Sequence, residues 1–257
     1  MPAYRQEKTI KEDIRRLYNV MIQTRWDFEI IVVVDGFVDN TYEEAKKVEL
    51  SEVSVIGYRE NHGKGYAVRY GMAHAVGDYI SFIDTGMDIN PNGISMLLEH
   101  LQWYDADVIV GSKRHPVSKT NYPWIRRLYS TGYHFLVRLL FGLKIKDTQT
   151  GLKVYKREVL EKVLPRLLVK KFAFDIEILA VAHKLGFRRI YEAPVEILWQ
   201  DSNTNFSPAI IFDKEIQRML IDTLAVFYRL NVLGYYDDMN AHLWEINSPT
   251  PKKETHD

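Results

Sequence analysis

Apolar residues recur along the first half of the chain in two alternating rhythms. Within residues 9–22, Ile10, Ile14, Leu17, Val20 and Met21 fall at helical spacing, which predicts an amphipathic helix after a short irregular start over residues 1–7. Residues 29–34, Glu-Ile-Ile-Val-Val-Val, are nearly all β-branched and read as a strand covered on both faces, ending at Asp35-Gly36. A short helix over 43–48, a strand over 53–57 and a helix through Ala67, Val68 and Met72 to Ala75 follow. Residues 79–83, Tyr-Ile-Ser-Phe-Ile, form the next strand and stop at Asp84. A helix after Pro91 runs to about Trp103, and residues 107–111 make another strand. Strands alternating with helices predict an α/β fold with a mostly parallel sheet flanked by helices on both faces, its strand ends facing one crevice.

Beyond Gly111 the character changes. Residues 113–157 hold eleven Lys and Arg and one acid, Asp147. Inside this basic segment, residues 122–141 read as a helix loaded with aromatic and aliphatic side chains. Interleaved Arg and aromatic residues fit a segment lying in a membrane interface, and they equally fit a core helix whose cations reach solvent. Residues 174–185 predict a helix carrying Asp175 and Glu177, 187–198 an extended segment, and 210–230 a long amphipathic helix with Lys214, Arg218 and Arg229. The domain is expected to close at residue 230, leaving 231–257 as a partly disordered tail whose polar end is 247–257.

With 257 residues and 46% hydrophobic content the chain can bury a full core. Its formal net charge is zero, so no global field draws it to nucleic acid. It has no cysteine, which excludes disulfides and thiolate metal sites. No apolar run approaches the ~20 residues of a membrane span and the first residues lack a signal-peptide pattern, so a cytoplasmic location is expected.

The candidate chemistry gathers at the strand ends. Asp84 and Asp88, separated by a turn through Gly86, offer hard oxygen ligands for Mg²⁺ or Mn²⁺ carrying a diphosphate; the same residues also fit a helix start, with Asp88 or Asn90 as cap and Pro91 in the first turn. Asp35 could accept a hydrogen bond from a nucleotide base, or serve the Asp-Gly turn. The run Asn61-His62-Gly63-Lys64-Gly65 before a helix could bring backbone N–H groups and a cation to a phosphate, or form an ordinary tight entry. Asp147-Thr148-Gln149-Thr150-Gly151-Leu152-Lys153 is expected to be a loop, either at the site or bracing its own backbone. Asp175 and Glu177, set among apolar residues, need partners and could be structural anchors. The histidines show no pair at zinc-ligand spacing, and no Gly-x-Ser-x-Gly elbow is present.

Taken in order, Pro2-Ala3-Tyr4, Val33-Val34-Asp35-Gly36 with Asp39-Asn40-Thr41, Gly63-Lys64-Gly65, Asp84, Gly111-Ser112-Lys113 and Asp147-Thr148-Gln149-Thr150-Gly151 resemble the inverting glycosyltransferases with the GT-A fold, glycosyltransferase family 2. Within that family the set is most similar to the dolichyl- and polyprenyl-phosphate sugar synthases, over roughly residues 2–230. The resemblance implies that Pro2, Tyr4 and Asp35 line the nucleoside, with Lys64 near the nucleotide, and that Asp84 and Asp88 hold a divalent ion on the diphosphate. It implies that Lys113 and Arg126 meet the acceptor phosphate beside the loop of Asp147, Gln149 and Lys153. That loop is more like the glucose-type synthases, which favours UDP-glucose over GDP-mannose as donor. A lipid monophosphate with second pKa near ~6 is largely ionised at neutral pH and attacks without a general base. The implied partners are a nucleotide sugar, a polyprenyl phosphate and the cytoplasmic face of a membrane, met peripherally.

The sequence also departs from the family pattern. Gly86 stands where the second acid of Asp-x-Asp is usual, and Asp88 is the residue placed to compensate. Val34 replaces the first acid of Asp-Asp-Gly, Arg5-Gln6 replaces Asn-Glu, residues 200–205 lack the usual cations, and relatives place a whole strand before Pro-Ala-Tyr. Two further readings stay open: transfer to a soluble or polysaccharide acceptor, and a catalytically weakened nucleotide-sugar-binding module.

Overall fold

The structure, a computed structural model, describes residues 1–118, 124–198 and 214–244, including all their side chains except those of 124–130 and 215. β1 (Pro2–Ala3) leads to α1 (Ile10–Met21), whose residues Ile10, Ile14, Leu17 and Met21 form one buried stripe, as the helical spacing requires. β2 (Ile30–Asp35), α2 (Thr41–Lys46), β3 (Val53–Tyr58) and α3 (Lys64–His74) follow. The three strands make a parallel sheet in the order β1-β2-β3, with Pro2 opposite Val33 and Asp35 opposite Tyr58.

β4 (Tyr79–Ile83), α4 (Gly93–Trp103), β5 (Val108–Ser112) and α5 (Trp124–Phe141) come next. Residues 152–153, expected to close the loop that begins at Asp147, instead open β6 (Leu152–Lys156). α6 (Arg157–Val163), a 3-10 turn at Leu164–Arg166, α7 (Phe174–Lys184), β7 (Ile190–Pro194) and α8 (Lys214–Asn231) complete the layers. The second sheet runs β4-β6-β5-β7; β6 is antiparallel to both neighbours and β5 is parallel to β7. The basic stretch 113–157 is therefore a helix plus a central buried strand, and Lys153 on that strand is fully buried.

The strand residues divide by alternation between two cores. Ile80, Phe82, Val108 and Val110 face the layer built by α3, α5, α6, α7 and α8. Ile83, Ile109, Ala3, Val32 and Val34 face Ile10, Ile14, Leu97 and Leu101 on the other side. That second core is shared by both sheets, and the Thr85 hydroxyl donates to the Pro2 carbonyl at 3.0 Å across their junction.

The segment after residue 230 is not a loose tail as far as it is described. It turns at Asp238–Asn240 into α9 (Ala241–Trp244), and Tyr236 and Trp244 are buried. Arg166 clamps it, donating from Nε to the Tyr236 carbonyl at 2.9 Å, pairing with Asp238 and lying 4.3 Å from the Trp244 ring centroid. The stretch 200–205, the expected helix start at 210–213 and the tail 245–257 lie outside the described residues.

Candidate functional site

Asp84 follows β4 directly. Its backbone N–H donates to the Gly151 carbonyl at 3.1 Å, and its carboxylate stands over the Gly151 Cα so closely that a Cβ there would lie 1.9 Å from Oδ2. Glycine at 151 is what lets the Asp84 carboxylate keep this position, since any Cβ there would displace it. Oδ2 of Asp84 accepts from Lys64 Nζ at 2.8 Å, and Oδ1 has no hydrogen-bond partner among the described residues.

Lys64 reaches Asp84 because α3 starts unusually close to the segment before α7. A Cβ on Gly65 would lie 2.5 Å from the Phe174 Cβ and 2.8 Å from the Lys171 carbonyl. This approach puts Lys64 Nζ 4.0 Å from Oδ2 of Asp175, in the first turn of α7, while Oδ1 of the same carboxylate takes Lys153 Nζ at 2.5 Å. Lys153 also donates to the Thr150 carbonyl at 2.6 Å, and both ammonium groups lie near the Phe82 ring, at 4.9 Å for Lys153 and 5.5 Å for Lys64. The result is an alternating row, Asp84, Lys64, Asp175, Lys153, running from the crevice into the core. Burial lowers the Lys64 pKa, but Asp175 and Asp84 outweigh it and the net shift is upward. For Lys153 burial dominates and the shift is downward, despite Asp175.

The expectation that Lys153 meets an acceptor phosphate is thereby corrected. Its side chain points under Phe82, away from solvent, because β6 is central in its sheet and an inward residue of a central strand has no route to the crevice. Asp35 also differs from the base-binding expectation. Its buried carboxylate already accepts four hydrogen bonds, from the Tyr58 hydroxyl at 2.9 Å, Asn61 Nδ2 at 2.8 Å, and the His62 and Gly63 N–H groups at 2.8 and 2.9 Å. Those bonds fill its lone pairs, so Asp35 fixes the turn that delivers Lys64. Burial and the neighbouring Asp35 charge push the Tyr58 phenol pKa up, keeping it a donor.

Asp88 is exposed, with no side-chain hydrogen bond among the described residues; only its carbonyl is engaged, by the Leu198 N–H at 2.8 Å. Between the two acids the turn is set by Gly86 at φ +85° and Met87 at φ +50°, which drops Met87 into the core. Asp13 of α1 accepts the Gly86 N–H at 2.9 Å, and burial raises its pKa. Of the two cap candidates, Asn90 makes a capping contact, its Oδ1 accepting the Asn92 N–H at 3.1 Å in the turn through Pro91 that leads into α4 at Gly93, whereas Asp88 caps nothing among the described residues. Pro2 sits on β1, and Tyr4 is partly exposed beside the Arg5 guanidinium, 5.2 Å from its ring centroid.

On the other side of the crevice Asp147 braces its own loop. Oδ2 accepts the Lys113 N–H at 2.9 Å and Oδ1 the Gln149 N–H at 3.2 Å, while Gln149 Nε2 donates to Met219 Sδ on α8 at 2.8 Å. Arg126 lies on α5, but its side chain is outside the described residues. Glu177, the other acid flagged in α7, is fully buried and anchors structure, accepting from the Leu168 and Val169 N–H groups and from the Tyr236 hydroxyl at 2.7 Å. Burial raises its pKa.

α5 and α8 pack together through Tyr133 and Thr223, 2.9 Å apart, and through the Phe141 and Phe227 rings, 6.2 Å apart. Among their exposed side chains are Phe135 and Leu139 of α5, Ile221, Leu224 and Tyr228 of α8, and the cations Arg138, Lys214 and Arg218. Among the described residues no helix is long and apolar enough to cross a membrane.

Over residues 1–164 the sequence matches the family described as "Glycosyl transferase family 2". It is 31% identical over 217 residues to a dolichyl-phosphate beta-glucosyltransferase of Drosophila melanogaster, covering 78% of this chain and 66% of that protein. It is 30% identical over 237 residues to the protein of the same name from Saccharomyces cerevisiae, covering 84% and 68%. The chain thus spans about two thirds of the length of these curated relatives. Among solved structures, glucosyl-3-phosphoglycerate synthase from Mycobacterium tuberculosis, in complex with Mn²⁺, UDP-glucose and phosphoglyceric acid, superposes with a TM-score of 0.64 at 19% identity, covering 88% of this chain and 77% of that one. The shared property at that identity is the fold.

Proposed function

The chain belongs to glycosyl transferase family 2, and from that premise we propose that it transfers glucose from UDP-glucose to a dolichyl or related polyprenyl phosphate, inverting the anomeric carbon. The names of its relatives support the substrate class. The observation that carries the reading is the 147–151 loop, which seats the Asp84 carboxylate on Gly151 at one end and contacts α8 through Gln149 at the other. One loop thereby joins the polar crevice to the helix pair with the exposed apolar face, as transfer from a soluble nucleotide sugar to a lipid requires.

Asp84 Oδ1 and the exposed Asp88 are hard oxygen donors, while among the described residues no group of three or more His, Asp or Glu is gathered to hold a metal. This donor set fits a Mg²⁺ or Mn²⁺ ion that takes most of its ligands from a diphosphate. Such an ion, when bound, neutralises charge on the departing nucleoside diphosphate. The protein's own part is positioning: Lys64 supplies positive charge at the donor side, Pro2 and Tyr4 border the nucleoside, and Lys113 with Arg126 orient the acceptor phosphate. The acceptor oxygen bonds to C1 as the C1–O bond to UDP breaks. At neutral pH a phosphate monoester with second pKa near ~6 is already ionised, so no carboxylate has to take a proton.

The exposed apolar face of α5 and α8, with its flanking cations, rests on the membrane that holds the lipid, and the enzyme works peripherally from the cytoplasmic side. Purified protein incubated with Mn²⁺, dolichyl phosphate and a panel of UDP- and GDP-hexoses is expected to yield a glucosyl lipid from UDP-glucose by mass spectrometry. Folded protein that gives no glycolipid with any donor overturns the proposal. Product on a soluble acceptor with none on dolichyl phosphate reassigns the acceptor.

A further inference from the structure

The row of alternating charges is asymmetric about Lys64. Lys64 lies between two carboxylates, 2.8 Å from Oδ2 of Asp84 and 4.0 Å from Oδ2 of Asp175. Asp175 is paired with Lys153 at its other oxygen, 2.5 Å away. Asp84 is half-exposed at the mouth, and its Oδ2 is the atom Lys64 occupies. A cation approaching the open Oδ1 of this carboxylate therefore meets an ammonium already seated on Oδ2.

We propose that Lys64 is an ordering residue: it blocks Asp84 against a free divalent cation and moves to the waiting oxygen of Asp175 only when a nucleoside diphosphate arrives with the metal. Like charges on Lys64 and a bare ion at one carboxylate repel, which disfavours metal binding alone. A diphosphate brings negative charge that removes the repulsion, and Asp175 receives the displaced ammonium with its partner distance shortened from 4.0 Å toward contact. The glycine at 65 has a place in this device, since the close approach of α3 to the segment before α7 is what puts both carboxylates within reach of one lysine. The device makes metal and nucleotide bind as a unit and keeps the crevice free of idle metal.

The inference rests on the metal-assisted reading above, and the test separates the two. Free Mn²⁺ is counted by the electron paramagnetic resonance signal of its hexaaqua form, with and without UDP, for the wild-type chain and for Lys64→Met and Lys64→Gln, each checked for folding by circular dichroism. The wild type is expected to retain Mn²⁺ only with UDP. Both variants are expected to bind Mn²⁺ alone at least about tenfold more tightly than the wild type, with UDP adding less than it does to the wild type, because removing a charge of like sign beside the ligand oxygen releases it. Wild-type retention with UDP and no tightening in either variant overturns the ordering role and leaves the metal reading intact. No Mn²⁺ retained by any protein, with or without UDP, overturns both.

Discussion

Replacing Asp175 by Ala removes the carboxylate that pairs directly with a fully buried lysine. Lys153 has none of its side chain exposed and Asp175 about 4%, so solvent cannot screen the loss. Breaking a buried pair by deleting one partner costs about 3–5 kcal/mol, because the remaining charge is left without compensation. With a urea m-value of about 3 kcal/mol/M, the unfolding midpoint falls by on the order of 1 M. The double variant Lys153→Met with Asp175→Ala recovers most of that loss, since no buried charge remains. A pH series adds a sign test. The folded-state pKa of Lys153 already lies below its ordinary value through burial, and losing Asp175 lowers it further. The unfolded chain then binds more protons than the folded one up to the ordinary lysine value of about 10.4, so stability of the single variant rises with pH and its penalty shrinks as pH climbs from neutral toward that value. Equal stability of the single and double variants, or a penalty unchanged across that pH range, would refute the placement of Lys153 as a buried, Asp175-compensated cation.

Three further outcomes follow from the geometry. Gly151→Ala places a methyl group 1.9 Å from Asp84 Oδ2, so the carboxylate swings off Lys64, and calorimetry should show UDP–Mn²⁺ binding weakened about tenfold or more while the fold persists. Tyr236→Phe removes a hydroxyl that donates to the buried Glu177 and should lower stability by about 1–3 kcal/mol in denaturant titrations, an effect absent if residues beyond 230 were a loose tail. Replacing Phe135 and Leu139 together by Ser should cut sedimentation with anionic liposomes several-fold without changing UDP binding, whereas unchanged sedimentation removes α5 from the membrane contact.

The elements with a clean period were legible in the sequence: the β-branched run of β2, the helical stripe of α1 and the strand that stops at Asp84 all lie where the pattern put them. β6 was not, and the reason is physical. Leu152-Lys153-Val154-Tyr155-Lys156 sets two lysines among three apolar residues, which breaks the apolar run of a buried strand; here the inward lysine is neutralised by Asp175, twenty-two positions away and on a helix. Asp35 shows the same limit. Its place at a strand end was readable, but the four donors that fill its carboxylate come from the 58–63 segment and are fixed only by folding. Gly63-Lys64-Gly65 gave a weak phosphate-loop signal, and what the glycines permit is a close approach to residues 170–174 that no local pattern encodes. Asp175 was legible through its cost: an acid among apolar residues needs a partner, and its cation, Lys153, lies in the basic segment.

The most direct test of the account is the anomeric configuration of the lipid product made from UDP-glucose, read from the coupling constant of its sugar proton by NMR. Direct attack by the ionised acceptor phosphate predicts a β-linked glucosyl phosphate from the α-linked donor. An α-linked product, or no glucosyl lipid from a folded and UDP-binding protein, would contradict it.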